Sequence, residues 1–198
     1  MKLTLQQLER NLQATGEQGG KLSTALSSLL SQVSTLDDIA SSFSSFAKMP
    51  ELVIQEVDIV DLLSKIVNLH AQEGNILFEP RLQSALVFAD KHLLGRAFSN
   101  IILNGLQSVR QGVYPEIKVT LDIKNLFYRI SISDNGKGIE PELIEKIFLP
   151  HFTTKQTGSG MGLAITKQGL EQMGAKIWFE TSSNGTTFNI EFPQWNRY

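Results

Sequence analysis

The feature of this sequence that most constrains its fold is the run EIKVTLDIKNLFYRISIS, in which apolar and polar residues alternate twice around Lys124-Asn125. Alternation with a period of two residues is typical of half-buried strands, so this run predicts an antiparallel β-hairpin. Short apolar runs elsewhere predict five further strands, and they read LVIQEV, NILFE, ALVFA, AKIWFET and TTFNIEF.

Helical patterns separate these strands. Asp58 and Asp90 each precede apolar residues spaced by three or four positions, and aspartate is a favourable N-cap, which predicts helices over 57–72 and 90–109. PELIEKIF predicts a short helix with proline in its first turn, and GMGLAITKQGLEQMG predicts a helix that Gly174 ends. The mixture predicts an α+β fold, a two-layer sandwich with a mixed, mostly antiparallel sheet and helices on one face.

The first 50 residues have a different pattern. They contain no strand signal, and TGEQGG separates two stripes of apolar residues at helical spacing, which predicts a helical hairpin. The longer stripe follows a heptad pattern typical of a helix in a bundle or coiled coil, and its members are Leu22, Leu26, Leu29, Val33, Leu36, Ala40 and Phe43. We therefore divide the chain into a helical hairpin over 1–50 and an α+β domain over 51–198. An ordinary amphipathic helix pair packed on the domain is the alternative.

Composition excludes several classes of function. A formal net charge of -2 gives no basic excess with which to neutralise the phosphates of a nucleic acid. The absence of cysteine excludes disulfides, thiolate metal sites and a cysteine nucleophile. No apolar run approaches the roughly 18–20 residues that span a bilayer, so any membrane contact would need parts that this chain lacks.

Five glycines lie between residues 136 and 162, and their spacing matches none of three common phosphate-binding loops. The P-loop run is absent, and so is the H-R-D segment of protein kinases. Gly158, Gly160 and Gly162 follow HFTTKQT, which is not a strand, so they do not match the dinucleotide fingerprint. A glycine-rich loop that leads into a helix N-terminus, with Lys155 nearby, instead predicts an anion site. A plain surface loop is the alternative.

Four motifs carry a resemblance to a known family. NIILNGLQSV, DNGKGI, IFLPHFTTK and GSGMGLAI follow one another in the order of the four boxes of the sensor histidine kinase ATP-binding domain. That domain belongs to a superfamily shared with gyrase, the heat-shock chaperone ATPase and the mismatch-repair ATPase. The resemblance runs from about residue 51 to 193. The N-terminal hairpin resembles the dimerisation and phosphotransfer helices of the nitrogen-regulation type, with FSSFAKMP near the end of the second helix.

The resemblance implies a nucleotide site with ATP and Mg²⁺ as ligands. Asp134 would accept a hydrogen bond from the adenine amino group and so select adenine over guanine. Gly136 and Gly138 would let the backbone pass close to the base. Asn104 would bind Mg²⁺ through its side-chain oxygen, which suits an ion that keeps several waters. The implied site near the base also includes Ile139 and Thr186.

The resemblance also implies a lid at about 149–161. Lys155 would reach the phosphates as a catalytic residue, and backbone N–H groups after the glycines would cradle them. Phe148 and Phe152 would be the apolar anchors of the segment, with plain core packing as the alternative for either. The implied nucleotide contacts here are Phe148, Phe152, Lys155, Gly158, Gly160, Met161, Gly162 and Leu163.

The implied activity is that of the catalytic part of a two-component sensor histidine kinase. The γ-phosphoryl group of ATP would pass to a histidine and then to the receiver domain of a response regulator. Superfamily hydrolases place a glutamate base where this chain has Asn100, so we expect Asn100 to serve phosphoryl transfer rather than hydrolysis. The rival hypothesis is an ATP-gated dimerisation module that transfers no phosphoryl group.

The acceptor histidine itself is missing. His70, His92 and His151 all lie outside the hairpin where the family carries its acceptor. We therefore expect a fragment that begins just after its acceptor, with a natural histidine-free relative as the alternative. The expected setting is a cytoplasmic homodimer joined through the N-terminal helices, with the cytoplasmic portion of an inner-membrane receptor as the alternative.

Overall fold

A computed structural model describes residues 51–155 and 158–194, together with residue 28. The predicted hairpin over 1–50, and the dimerisation assigned to it, lie outside the described residues. Residues 153–161 fall outside the compact unit that contains 51–152 and the chain from 162 onward, and they are described by themselves below.

The compact unit is built on a five-stranded mixed sheet, which confirms the predicted fold class. The spatial order of its strands is β2-β4-β5-β7-β6, and only the β2–β4 pair is parallel. β1 and β3 form a separate antiparallel ladder. The strands are β1 (Ile54–Asp58), β2 (Asn75–Pro80), β3 (Leu86–Asp90), β4 (Glu116–Lys124), β5 (Phe127–Asp134), β6 (Lys176–Ser182) and β7 (Gly185–Pro193).

Three α-helices lie against this sheet: α1 (Ile59–His70), α2 (Lys91–Leu106) and α3 (Gly162–Gln172). The predicted caps are present, since Asp58 accepts a hydrogen bond from the Val60 N–H and Asp90 accepts one from the Leu93 N–H. α1 contacts β2, α2 contacts β4 and β5, and α3 contacts β6. Gly174 follows α3 with φ of 78°, the left-handed conformation that ends a helix.

The core lies between the helices and one face of the sheet. Alternate residues of the central strands point into it, so that Val119 pairs in register with Ile132 and Leu121 with Ile130. All four of these side chains are buried. Asp134 continues the same alternation past Ile130 and Ile132, and it pairs with the buried Ile117. The sheet therefore directs a carboxylate toward its helix-covered face at the end of β5.

Two local predictions hold only in part. PELIEKIF forms only a 3₁₀ turn at Pro141–Leu143, followed by single turns that run to Leu149. Glu140 provides no side-chain cap, and Pro150 disfavours helical geometry at the residue before it. The hairpin turn lies at Asn125 and Leu126 rather than at Lys124-Asn125, because these two residues adopt the positive φ that tight hairpin turns require.

Candidate functional site

The carboxylate of Asp134 lies at the centre of the candidate site. Its Oδ1 accepts hydrogen bonds from the Gly136 N–H at 2.8 Å, the Thr186 N–H at 3.2 Å and the Ser108 hydroxyl at 3.1 Å. These donors come from the loop after β5, from β7 and from the chain just after α2. Among the described residues, every hydrogen bond to the Asp134 side chain goes to Oδ1, so Oδ2 is the oxygen that can accept from a ligand.

Burial raises the pKa of Asp134, while the hydrogen bonds from Gly136, Thr186 and Ser108 act in the opposite direction. A carboxylate held by three neutral donors accepts hydrogen bonds strongly, because desolvation strengthens electrostatic interactions. This chemistry suits a ligand that presents an N–H group, such as an exocyclic amine.

The loop after Asp134 passes very close to its neighbours. A Cβ at Gly136 would lie 1.8 Å from Ser108 Oγ, and one at Gly138 would lie 1.9 Å from the carbonyl oxygen of Ser182. Gly138 also has φ of 75°, which favours glycine. The close passage in the structure is against protein atoms, so the assignment of these two glycines to a nucleotide base stays a prediction.

A hydroxyl pair fixes the far side of the loop. Thr181 Oγ1 accepts from the Ile139 N–H at 2.9 Å and lies 3.0 Å from Thr186 Oγ1. Thr186 is buried, and its N–H is one of the donors to Asp134. Of the residues assigned to the base, Asp134, Gly136, Ile139 and Thr186 are thus joined in one hydrogen-bond network through Thr181, and Gly138 lies in the same loop.

A second cluster joins α2 to the start of α3. Asn100 Nδ2 donates to Thr166 Oγ1 at 3.0 Å, and a Cβ at Gly162 would lie 2.5 Å from Asn100 Oδ1. Glycine at the first position of α3 therefore lets the two helices approach. Asn100 is fixed as an amide between the helices, where it cannot act as a general base.

A cavity of about 260 Å³ opens beside this cluster. Its walls are largely apolar, and Arg96, Ser99, Asn100 and Thr166 contribute polar groups. The remaining lining residues are Leu93, Ala97, Leu103, Gly162 and Ile165.

Asn104 lies one helical turn after Asn100 on α2 and is half-buried. The next residue, Gly105, adjoins Asp134, because a Cβ there would lie 3.0 Å from Asp134 Cβ. In the described part of the chain no three His, Cys, Asp or Glu side chains form a metal cluster. A single amide oxygen fits Mg²⁺ that is held mainly by phosphates and waters.

Two aromatic residues assigned to the lid belong to the packing of the domain. Phe148 makes edge-to-face contacts with Phe179 and Phe188, at centroid distances of 5.9 and 6.4 Å. Phe152 and Leu163 also pack against the core. Their assignment to the nucleotide stays a prediction.

The segment 153–161 is described for all but residues 156 and 157. The Lys155 N–H donates to Thr153 Oγ1 at 3.1 Å, and desolvation lowers the pKa of the Lys155 ammonium group. Gly158 and Gly160 have φ of 154° and 66°, and Met161 is buried. The roles assigned to these residues with phosphates also stay predictions.

The histidines lie in three separate places. His70 is buried at the end of α1, with Nδ1 2.7 Å from Glu73 Oε1 and Nε2 2.6 Å from Ser99 Oγ. His92 is exposed in the first turn of α2, and His151 is exposed with φ of 64°.

Sequence reasoning missed Ser108, Thr166 and Thr181. Each is a small hydroxyl residue whose partner lies far along the chain, 26 residues away for the Ser108–Asp134 pair and 66 for Asn100–Thr166. Periodicity carries no signal for such pairs. The position of Ser108, four residues after Asn104 and directly after a helix, is the one local hint.

Comparison with known proteins assigns the family. A model of the histidine kinase-, DNA gyrase B- and HSP90-like ATPases matches residues 89–196, which is more than half of the chain. The chain belongs to this ATPase family. The resemblance inferred from the four motifs is confirmed, and family membership supports ATP as the nucleotide.

Relatives of this ATPase-family chain are sensor kinases. It is 29% identical over 181 residues to the sensor histidine kinase ZraS of Escherichia coli K12, covering 88% of this chain and 38% of ZraS. It is 30% identical over 150 residues to a putative NtrY-like sensor histidine kinase of Rickettsia conorii, covering 74% of this chain and 25% of the relative. The chain therefore spans well under half the length of these two relatives.

Solved structures agree on the fold. The catalytic domain of the histidine kinase ThkA matches with a TM-score of 0.64 at 30% identity, over 71% of this chain and 95% of that domain. ThkA in complex with the response regulator TrrA matches with a TM-score of 0.72 at 24% identity, over 97% of this chain and 57% of that one, which shows the shared fold. None of the helices in the described ranges has the length and apolar character needed to cross a membrane.

Proposed function

We propose that this chain binds Mg-ATP and is the catalytic part of a sensor histidine kinase. The observation that carries the proposal is the half-buried Asp134 carboxylate, whose Oδ1 is held by three donors while Oδ2 is available to an adenine amino group. Family membership and the kinase-domain fold support the same function.

In this proposal one end of the site binds the base of the nucleotide and the other end binds its phosphates. Asp134 orients the adenine ring through its amino group, and the loop at Gly136 and Gly138 lies beside the base. The phosphates lie toward Asn100 and the start of α3, where N–H groups at a helix N-terminus stabilise negative charge. Lys155 would add positive charge to the phosphates.

Magnesium fits as the partner of Asn104. Its side-chain oxygen would hold the ion, and the ion would neutralise charge on the phosphates during transfer. The chain's own contribution is position, since phosphoryl transfer depends on alignment and charge neutralisation more than on covalent chemistry by the protein.

Asn100 favours transfer over hydrolysis. Its amide is hydrogen bonded to Thr166 and faces Gly162, so this position offers no base to activate a water molecule. A histidine nitrogen needs no such base, because neutral imidazole is itself a nucleophile. The acceptor we propose is a histidine on a helical hairpin, and the final acceptor is the receiver domain of a response regulator.

The same proposal places the protein in the cytoplasm as a dimer joined through residues 1–50. The whole relatives are longer than this chain. The dimer, the response regulator as partner and the cytoplasmic location are therefore proposals in addition to the proposed activity.

Radiolabelled ATP tests the proposal. We expect the 198-residue chain to bind Mg-ATP, not to label itself on histidine, and to transfer label to a supplied hairpin that carries an acceptor histidine. The product should be acid-labile and alkali-stable. A hairpin with alanine in place of the histidine is the control.

Other outcomes would decide against the proposal. Tight ATP binding without transfer to the supplied hairpin would favour an ATP-gated interaction module. Label on His70, His92 or His151 would contradict the assignment of the acceptor to the hairpin. Steady release of phosphate would show that Asn100 does not prevent hydrolysis.

A further inference from the structure

Ser108 lies directly behind the carboxylate that selects the base. It follows the last turn of α2, and its Oγ is 2.7 Å from the Gly105 carbonyl oxygen and 3.1 Å from Asp134 Oδ1. A hydroxyl carries one hydrogen, so Ser108 can donate fully to only one of these acceptors at a time. Whether the hydroxyl donates to the Gly105 carbonyl or to Asp134 Oδ1 therefore depends on whether Asp134 is ionised.

The other neighbours of Asp134 are uncharged. Its Oδ1 receives backbone N–H groups from Gly136 and Thr186, Ile117 pairs with it on β4, and Gly105 adjoins it from α2. In the described ranges no charged side chain bonds to this carboxylate, and no charge contributes to its pKa shift. Neutral donors alone favour its ionised form.

We propose that Ser108 is a positioning residue that holds Oδ1 of ionised Asp134, keeps Oδ2 as a hydrogen-bond acceptor, and thereby sets the preference for adenine over guanine. This inference rests on the proposed ATP site and extends it to a residue that touches no nucleotide.

The chemistry of the two bases makes the inference testable. Adenine presents an amino donor at C6, whereas guanine presents a carbonyl acceptor there. Ionised Asp134 accepts a hydrogen bond from the adenine amino group and repels the guanine carbonyl oxygen. Because Oδ1 already accepts backbone hydrogen bonds, a proton added to Asp134 goes to Oδ2. Protonated Oδ2 becomes a donor, which fits guanine and not adenine.

Loss of the Ser108 hydroxyl therefore has a specific expected result. Burial already raises the pKa of Asp134, and Ser108 is one of the groups that oppose the rise. Ser108→Ala should weaken ATP binding about three- to tenfold at neutral pH, the effect of one hydrogen bond. GTP binding should fall less, so the ATP-to-GTP affinity ratio should drop.

The affinity ratio should also depend on pH. In the parent chain it should fall as acid protonates Asp134, and in Ser108→Ala the fall should begin at higher pH. Ser108→Thr keeps the hydroxyl and should restore the parent profile. Ser131→Ala is the matched control, because Ser131 Oγ bonds Asn189 Oδ1 on the sheet at 2.7 Å. Calorimetric titration of each variant with Mg-ATP and Mg-GTP from pH 5 to 8 gives the ratios.

A second measurement does not need a nucleotide. Carbon NMR of the Asp134 carboxyl in the free 198-residue chain should show a higher pKa in Ser108→Ala than in the parent chain. An unchanged carboxyl titration, or an equal loss of ATP and GTP affinity at every pH, would overturn the role of Ser108. A parent chain that binds neither nucleotide, with the carboxyl shift present, would instead refute the proposed ATP site.

Discussion

The two ends of the candidate nucleotide site are built in different ways. At the base end, Asp134 and Thr181 accept from backbone N–H groups and a hydroxyl on three separate segments, which are the chain after α2, the loop after β5, and β7. At the phosphate end, Asn100 and Thr166 border a cavity of about 260 Å³. The base end is complete before a ligand arrives, whereas the phosphate end holds open volume. We therefore expect selection of the base to depend on preformed geometry and phosphate binding to depend on the ligand filling space.

The largest effect should come from crowding the base end. Gly138→Ala places a Cβ 1.9 Å from a backbone oxygen at a φ of 75°, so we expect a loss of about 3 kcal/mol in the free energy of unfolding. Gly174→Ala is the control, since φ is 78° with no heavy atom within 4 Å, and it should cost about 1 kcal/mol. Urea denaturation measures both values. Equal losses would mean that the loop can move aside and that the base end is not rigid.

Asp134→Asn should weaken binding of the adenine base without crowding the site. The amide keeps an oxygen for the three donors and turns an NH₂ group toward the adenine amine. ATP and adenosine should both lose affinity by about 1–3 kcal/mol, the cost of an unpaired buried polar group. Calorimetry with both ligands is the measurement. A loss confined to ATP would place Asp134 at the phosphate end.

Stability provides the control for this variant. Burial raises the pKa of Asp134 above 3.8. The stability that the protonated carboxyl group of Asp134 contributes is therefore fully present below pH 3.8 and is lost as pH rises through the folded pKa. Asp134→Asn should therefore gain stability relative to the parent chain as pH rises to neutrality. A variant that loses both affinity and stability at pH 7 would indicate a damaged fold.

Asn104→Ala should weaken binding at the phosphate end of the site. We expect the Mg²⁺ dependence of ATP binding to disappear, with ATP affinity about tenfold lower in the presence of the ion, while adenosine binding stays nearly unchanged. Titration of ATP with and without Mg²⁺ measures the difference. Equal losses for adenosine and Mg-ATP would mean that α2 has shifted as a whole, and the two ends would then not be independent.

The smallest effect should come from the start of the helix that serves both ends. Asp90 caps α2, and its hydrogen bond from the Leu93 N–H lowers the pKa of its carboxyl. Asp90→Ala should cost about 1 kcal/mol of stability at neutral pH. A carboxylate whose pKa is lowered in the folded state stabilises the protein above about pH 3.8, and this stabilisation is lost as pH falls through the folded pKa. The stabilities of the parent chain and Asp90→Ala should therefore converge in acid. Thermal unfolding at pH 7 and pH 3 tests this.

Sequence patterns predicted the parts of this molecule that depend on local chemistry. The caps at Asp58 and Asp90 are one-residue signals next to a periodic run, and the β4–β5 hairpin follows from alternation. Asp134 was assigned through the resemblance of DNGKGI to a family motif, and in the structure it continues the core-facing series after Ile132. The four motifs then identified the family.

What the sequence could not predict depends on contacts between distant segments. Ser108 becomes part of the base end only because β5 brings Asp134 to the end of α2. The segment after Pro141 looked helical by its apolar spacing, but it lacks a cap and precedes Pro150. The separate pairing of β1 with β3 also has no local signature, since strand propensity does not specify a partner.

The position of β7 has a consequence for how the protein is made. β7 is the last described strand along the chain, yet it pairs with β5 on one side and β6 on the other. Thr186 reaches Asp134 from 52 residues downstream. At synthesis rates of about 5–20 residues per second, the edge of β5 waits roughly 3–10 s for β7 on the ribosome, whereas β6 ends at Ser182, just before β7 begins at Gly185. During that interval the nascent chain has unpaired sheet edges and no base-selecting pocket, so ATP cannot assist folding until translation has passed this strand.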